Sequence, residues 1–209
     1  MSDKINPLIF GPRSIRAWQA HAKSQTRRLV HPQPEQGGKL YYDEVRNIWR
    51  IRRRAYPGVE VLPRKVRQPY AVGEICWIRE GLIRTEDDLA AYQVDWLLAM
   101  NQGRPMTWRW KHDKLAAMFM PRRACRYHAR IASVRPEWLQ DISNEDAIAE
   151  GTLVDIKVRD ELFQMPSMES PREHYADWWA TLHHKVGTRS ADNPLAWVYS
   201  IEDCEGGHE

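Results

Sequence analysis

The chain is poor in cysteine: Cys76, Cys125 and Cys204 are its only three in 209 residues. An odd number at such wide spacing excludes a disulfide framework and points to reduced thiols in a cytoplasm. It also excludes a zinc knuckle, and the eight histidines show no HExxH or comparable ligand spacing. No metal and no cofactor is therefore expected. A GxxxxGK[ST] phosphate loop is missing, as is the cysteine pair of zinc deaminases. There is no acidic cluster to hold the metals of a nuclease. No apolar run approaches membrane-spanning length, the opening MSDKINPLIF has no cleavage-like segment, and no internal repeat is visible. The expectation is a soluble cytoplasmic protein with no membrane partner, long enough for one substantial core and cramped for two.

What the chain has is basic charge, unevenly spread. The formal net charge is only +3, yet residues 46–67 hold Arg46, Arg50, Arg52, Arg53, Arg54, Arg64, Lys65 and Arg67 against Glu60 alone. Trp49 and Tyr56 lie among them, and cations mixed with aromatic rings suit a phosphate backbone and stacked bases. Arg126, His128 and Arg130 alternate along CRYHARIASV, so a strand there carries them on one face.

Gly11 and Pro12 start a helix expected over 12–22, with Ile15, Trp18 and Ala22 on one side and Lys23 at its end. Thr26 to Val30 reads as a strand stopped by Pro32 and Pro34, with Thr26 and Arg28 on one face and Arg27 and Leu29 on the other. Residues 31–72 read as loops or a hairpin, GEICWIRE as a central strand, Asp88 to Met100 as a helix, and PMTWRWKHDK as extended. Ser143 with Asp146 caps a short helix closed by Gly151. Ser170, Pro171 and Glu173 open a longer one burying Tyr175, Trp178, Trp179 and Leu182. LAWVYSIE is a last strand. Strands and helices do not alternate regularly, so the expected class is α+β, a mixed barrel-like sheet with packed peripheral helices.

Four segments, AKSQTRRLVHPQP, PYAVGEICWIRE, MPRRACRYHARIASVRPEWLQDISNEDAIAEG and NPLAWVYSIE, resemble the ASCH domain family of the PUA-like superfamily, most closely its long phage and prophage form. The resemblance runs from about Ile9 to Glu202 in a single domain spanning 1–209, with basic and aromatic insertions at about 36–68 and 83–106. It implies a PUA-like β-barrel with a pocket for RNA or a modified nucleobase. Lys23, Thr26 and Arg28 match the family's lysine, threonine and arginine, while His21 stands where the family has glycine and Ser24 where it often has threonine. One bacterial branch hydrolyses the amide of N4-acetylcytidine with a lysine, a threonine and a glutamate. Lys23 and Thr26 match two of these, and Glu150 the third by its place in the short helix.

The candidate catalytic residues are thus Lys23, Thr26 and Glu150, with Arg28 and Glu80 as candidate substrate ligands. A lysine takes a hydroxyl proton only when burial lowers its pKa, and a neighbouring Glu150 works the other way. Glu80 reads equally as the buried partner of an arginine, and Arg27 and Arg28 either as phosphate ligands or as ion-pair partners. Arg27, Arg50, Arg52, Arg53, Arg54, Lys65, Arg126 and Arg130 are the candidate nucleic-acid ligands. The leading expectation is a module binding RNA or another single-stranded nucleic acid with an exposed or modified base in a polar pocket. The alternatives are an N4-acylcytidine amidohydrolase and a phage adaptor that binds protein through its tryptophan-rich insertion.

Overall fold

The computed structural model describes residues 6–34, 39–52, 63–94, 106–154, 156–157 and 170–204. Its architecture is mixed α+β, with three sheets among the described residues. The largest runs, in spatial order, β1 (Pro7–Ile9), β6 (Ile75–Arg79), β11 (His128–Trp138), β12 (Leu195–Asp203) and β2 (Gln25–Leu29). The pairing of β1 with β6 is parallel and the others are antiparallel. From Leu195 to Tyr199 β12 is buried at every position, as a central strand covered on both faces requires. Trp197, Tyr199 and Ile201 join Leu8, Phe10, Ile78 and Ile131 in the main core, whereas Ala196 packs with Leu139, Ala147, Tyr175 and Trp179 in a second one.

One side-chain bond ties the two edge strands of this sheet, and a second holds β1 to the segment before β6. Arg28 of β2 donates from Nη2 to the Ile9 carbonyl of β1 at 2.7 Å, and the Tyr70 hydroxyl donates to the Pro7 carbonyl at 2.8 Å. No backbone ladder closes the sheet into a barrel among the described residues.

Helix α1 (Pro12–Gln19) connects those edges, with Gly11 as N-cap and Pro12 at its first position, where a missing N–H is harmless. It buries Ile15, Ala17 and Trp18 and ends three residues earlier than the sequence suggests. His21 then adopts φ +51, and the His21 and Ala22 amides bond back to the Trp18 and Ala17 carbonyls. That is a Schellman termination, whose left-handed residue is ordinarily glycine. The sharp turn explains why Lys23 lies beyond the helix and not in its last turn.

Within 31–72, β3 (Lys39–Asp43), β4 (Ile48–Arg52) and β5 (Arg64–Val66) form a three-stranded antiparallel sheet, more regular than the expected loops or hairpin. A third sheet joins β7 (Leu82–Arg84), β8 (Leu89–Tyr92), β9 (Met106–Thr107) and β10 (Lys114–Leu115). This corrects the start of the helix expected from Asp88: Leu89–Tyr92 is a strand, Gln93 and Val94 are helical, and Trp96 and Ala99 lie outside the described residues. Thr85 accepts from and donates to Leu89 while Asp88 takes φ +58, so a polar turn starts a hairpin where apolar spacing suggested a helix. Within PMTWRWKHDK, expected to be extended, Met106–Thr107 is strand and the Trp108 that follows is buried in the core of this sheet.

The short helix is α2 (Asn144–Ala149), where the Ser143 hydroxyl accepts from the Asp146 amide. The longer is α3 (Pro171–Leu182), with the capping box of Ser170 and Glu173 complete. Tyr175 and Trp179 are buried as expected, but Trp178 is only half-buried and Leu182 is exposed, while His174 is buried in their stead.

Candidate functional site

Backbone geometry brings Lys23 to Glu150. The Ser24 amide bonds the Ala149 carbonyl at 2.9 Å, and Gly151, at φ +96, lets the end of α2 lie directly on Ala17 of α1. A Cβ at Gly151 would overlap that of Ala17, so glycine is required there for both its space and its backbone. With the two turns locked together, Lys23 Nζ donates to the Glu150 carbonyl at 3.0 Å and to Glu150 Oε2 at 2.8 Å. The ammonium therefore caps the helix and neutralises a carboxylate that the dipole disfavours at its C-terminus.

Both side chains are 1% exposed, and they belong to a longer chain of alternating charge. Arg27 donates from Nη1 to Glu150 Oε1 at 3.2 Å, and from Nη2 to Glu137 at 2.7 Å and Asp146 at 3.0 Å. Arg135 binds the same two carboxylates, and Gln25 bridges Arg27 and Asp146. Lys23, Arg27 and Arg135 thus face Glu150, Glu137 and Asp146.

Burial lowers the Lys23 pKa, and the Glu150 carboxylate only partly opposes it. Burial also works against the charge on Arg27, but Glu150 and its other partners outweigh it and hold the guanidinium ionised beyond its usual range. Of the two cations sharing Glu150, the lysine is the one poised to give up a proton. Tyr175 lies under Arg27, 5.7 Å from ring to guanidinium, and burial, with Glu150 beside it, pushes its phenol well above the usual range.

Thr26 is 3% exposed and pairs across the ladder with Tyr199, with Arg28 opposite Trp197. Thr26 and Arg28 thus share the core face and Arg27 turns to the α2 side, as strand alternation requires. The Thr26 hydroxyl makes no hydrogen bond among the described residues, and the Lys23 bonds described go to Glu150. Lys23 and Glu150 are in contact, then, while the threonine and its prospective base are not bonded to one another.

The remaining candidates divide. Arg27 is an ion-pair partner, fully buried, and not a surface phosphate ligand. Arg28 spends Nη2 on the β1 edge. Glu80, 1% exposed, receives two bonds of 2.7 Å from Arg126, whose guanidinium stacks 3.7 Å from the Tyr92 ring. The arginine-partner reading of Glu80 is the one observed, and it takes Arg126 away from a basic surface. Arg126 precedes β11 and does not share a strand face with the exposed Arg130.

On the three-stranded sheet, Trp49, Ile51 and Val66 face the main core. The opposite face carries Arg50 and Arg52, with Lys39 paired to Arg52, and Tyr41 and Lys65 paired to Arg50. Arg52 lies over the Tyr41 ring at 5.4 Å, and Arg50 is anchored to Asp43 at 3.1 Å. Arg53 and Arg54 lie outside the described residues.

Sequence reasoning missed Gln25, Glu137, Asp146 and Tyr175 around Arg27. It also missed Lys39 and Tyr41, which the alternation in KLYYD could have revealed. It missed a narrow cleft between α1 and α3 as well, where Glu150 meets Arg13, Ser14, Thr152, His174 and Trp178. No helix among the described residues is long and apolar enough to cross a membrane. No protein-family model, no curated protein and no solved structure matches the chain.

Proposed function

We propose that the chain binds single-stranded nucleic acid, RNA foremost, along the outer face of β3, β4 and β5, and receives an exposed or modified base near Lys23 and Glu150. The single observation that carries this reading is the outer face itself. Lys39, Arg50, Arg52 and Lys65 converge there with Tyr41, while the apolar residues of the same strands turn to the core. Cations beside a ring provide both phosphate neutralisation and a stacking surface. The ASCH resemblance and its PUA-like barrel belong to the same proposal, with the side-chain tie from Arg28 to the Ile9 carbonyl taking the place of a closing ladder. Binding of a fluorescent single-stranded RNA, measured across salt concentration, tests it. Replacing both Arg52 and Lys65 by alanine should flatten the slope of log affinity against log salt by about 1.4, at roughly 0.7 for each phosphate no longer neutralised. Binding indifferent to salt, or to the double replacement, refutes it and favours the protein-adaptor reading.

A second reading, hydrolysis of an N4-acylated cytidine, is favoured by one observation, the burial that lowers the Lys23 pKa. Neutral Lys23 would take the Thr26 hydroxyl proton as the oxygen attacks the acyl carbonyl. The cytidine amine would leave with a proton, and water, oriented by Glu150, would cleave the acyl-threonine ester. For this Lys23 must turn from Glu150 to Thr26. Acetate release from N4-acetylcytidine, abolished in Lys23→Ala and in Thr26→Ala and no further in the double variant, is the expected outcome. Release that persists in Lys23→Ala overturns it.

A further inference from the structure

Two large apolar side chains stand out from the segment between β10 and β11. Met118 and Phe119 are 55% and 66% exposed and close a 3-10 turn, Ala117–Phe119. The turn is firmly held. The Phe119 and Met120 amides donate to the Ala116 and Ala117 carbonyls at 2.9 Å and 3.1 Å, and Arg79 Nη1 donates to the Met118 carbonyl at 2.6 Å. Met120, the next residue, is buried in the core of the third sheet, where its Sδ accepts from the Glu80 amide at 3.1 Å. A ring displayed on so fixed a backbone loses little conformational freedom when something packs on it.

The surroundings of the ring are positive. No aspartate or glutamate occurs between Lys114 and Arg130. Arg122 and Arg123 open a second 3-10 turn, Arg122–Ala124, whose Ala124 is buried in the same core as Met120. Both arginines are exposed and neither guanidinium has an ion-pair partner among the described residues, in contrast to Arg126 on Glu80. Arg79 also joins the first turn to the main sheet. It lies over the Trp77 ring at 4.4 Å, and its register partner in β1 is Ile9, whose carbonyl receives Arg28. The turn therefore lies beside the seam at which Arg28, a candidate substrate ligand, meets β1. A stable protein contact covers about 800 Å² per partner and is depleted of charge at its centre. Two apolar side chains bordered by unpaired arginines are the reverse. A nucleobase needs only one ring face, and the phosphates before and after it need cations.

From this juxtaposition we propose that Phe119 is a stacking platform for a base of a single-stranded nucleic acid, with Arg122 and Arg123 neutralising the phosphates that flank that base. The inference rests on the nucleic-acid reading above and deepens it with a contact that shares no residue with the outer face of β3, β4 and β5. Every base has a π-face, so the platform accepts any of the four and supplies affinity without choosing a sequence.

The test compares binding of the full-length chain to two end-labelled single-stranded oligoribonucleotides of equal length, one intact and one made of abasic sugars, followed by fluorescence anisotropy across salt concentration. Phe119→Ala should weaken binding of the intact strand about tenfold or more without changing its salt slope, and should leave the abasic strand unaffected. Phe119→Tyr, which keeps a ring, should bind as the wild type does. Replacing Arg122 and Arg123 together by alanine should flatten the slope of log affinity against log salt by about 1.4 for both strands. Phe119→Ala without effect on the intact strand, or with equal effect on the abasic one, overturns the platform. Should Phe119→Ala instead alter only the sedimentation of the chain alone, the turn is a protein contact and the proposal falls. The same measurements on a chain with Arg52 and Lys65 both replaced by alanine separate the two surfaces. A Phe119 effect that persists there supports the platform whatever becomes of the basic sheet, and a strand held by the sheet but indifferent to Phe119 overturns the platform alone. A chain that binds neither strand overturns both.

Discussion

Glu150→Gln is the most informative single change, because it removes one charge and keeps the shape. Arg27 loses one of three carboxylates and keeps Glu137 and Asp146, whereas Lys23 loses its only described counter-charge and keeps the Glu150 carbonyl. Breaking a buried pair from one side typically costs about 3–5 kcal/mol. The lysine has an escape: it can fold neutral. Releasing its proton costs about 1.4 kcal/mol for each pH unit below the ordinary pKa of about 10.5. The lysine's share of the loss therefore cannot exceed about 5 kcal/mol at pH 7 or about 2 kcal/mol at pH 9. The sign follows from linkage. With its folded pKa depressed, Lys23 binds fewer protons folded than unfolded, so its burden on stability is full at low pH and is relieved as pH rises towards 10.5. Urea denaturation of wild type and variant at pH 7 and pH 9 measures this directly. The penalty of Glu150→Gln should be large at pH 7 and smaller by about 1 kcal/mol or more at pH 9, and Lys23→Met should recover most of the lysine's share. A penalty below about 1 kcal/mol, or one equal at the two pH values, would refute the view that Lys23 is a desolvated cation held by Glu150.

Three further expectations come from the same corner and core. His21→Gly removes the left-handed strain at the end of α1 and should stabilise the protein by about 1 kcal/mol, read from the denaturation midpoint. Gly151→Ala should destabilise by about 2–4 kcal/mol, and adding Ala17→Gly should recover the steric part but not the part due to φ +96, in the same assay. Burial pushes the Cys76 thiol up to about 12, so at pH 8 an alkylating reagent followed by mass spectrometry should modify Cys204 in the native protein and leave Cys76 intact until unfolding.

Much of the corner was legible because local chemistry fixed it. Pro12 starts α1, the Ser170–Glu173 box starts α3, and alternation from Thr26 assigns its neighbours to the correct faces. The pairing of Lys23 with Glu150 came from family resemblance, since nothing local links positions 127 residues apart. What stayed hidden was of two kinds. Alanine and leucine spacing after Asp88 fits a helix as well as a strand, and the hydrogen-bonded turn at Thr85 decides between them. Arg27 and Arg126 look alike in sequence to the exposed Arg130. Only tertiary placement of Glu137, Asp146 and Glu80 makes them interior cations.

The side-chain ties to β1 set how the molecule yields to force. A load applied at Asn6 meets the bond of its own side chain to Glu74, a short parallel ladder to β6 and, on the other side, the bonds of Arg28 and Tyr70 to two carbonyls. Those two bonds do not act in shear with a row of neighbours; each can break alone. Peeling thus begins at β1 and draws α1 away from Gly151, separating Lys23 from Glu150 while the pairing of β11 with β12 is intact. A pulling trace should therefore show a small early rupture, abolished by Arg28→Ala, before the main event. The charged pair at the heart of the corner thus lies next along the chain from the strand that such a load reaches first.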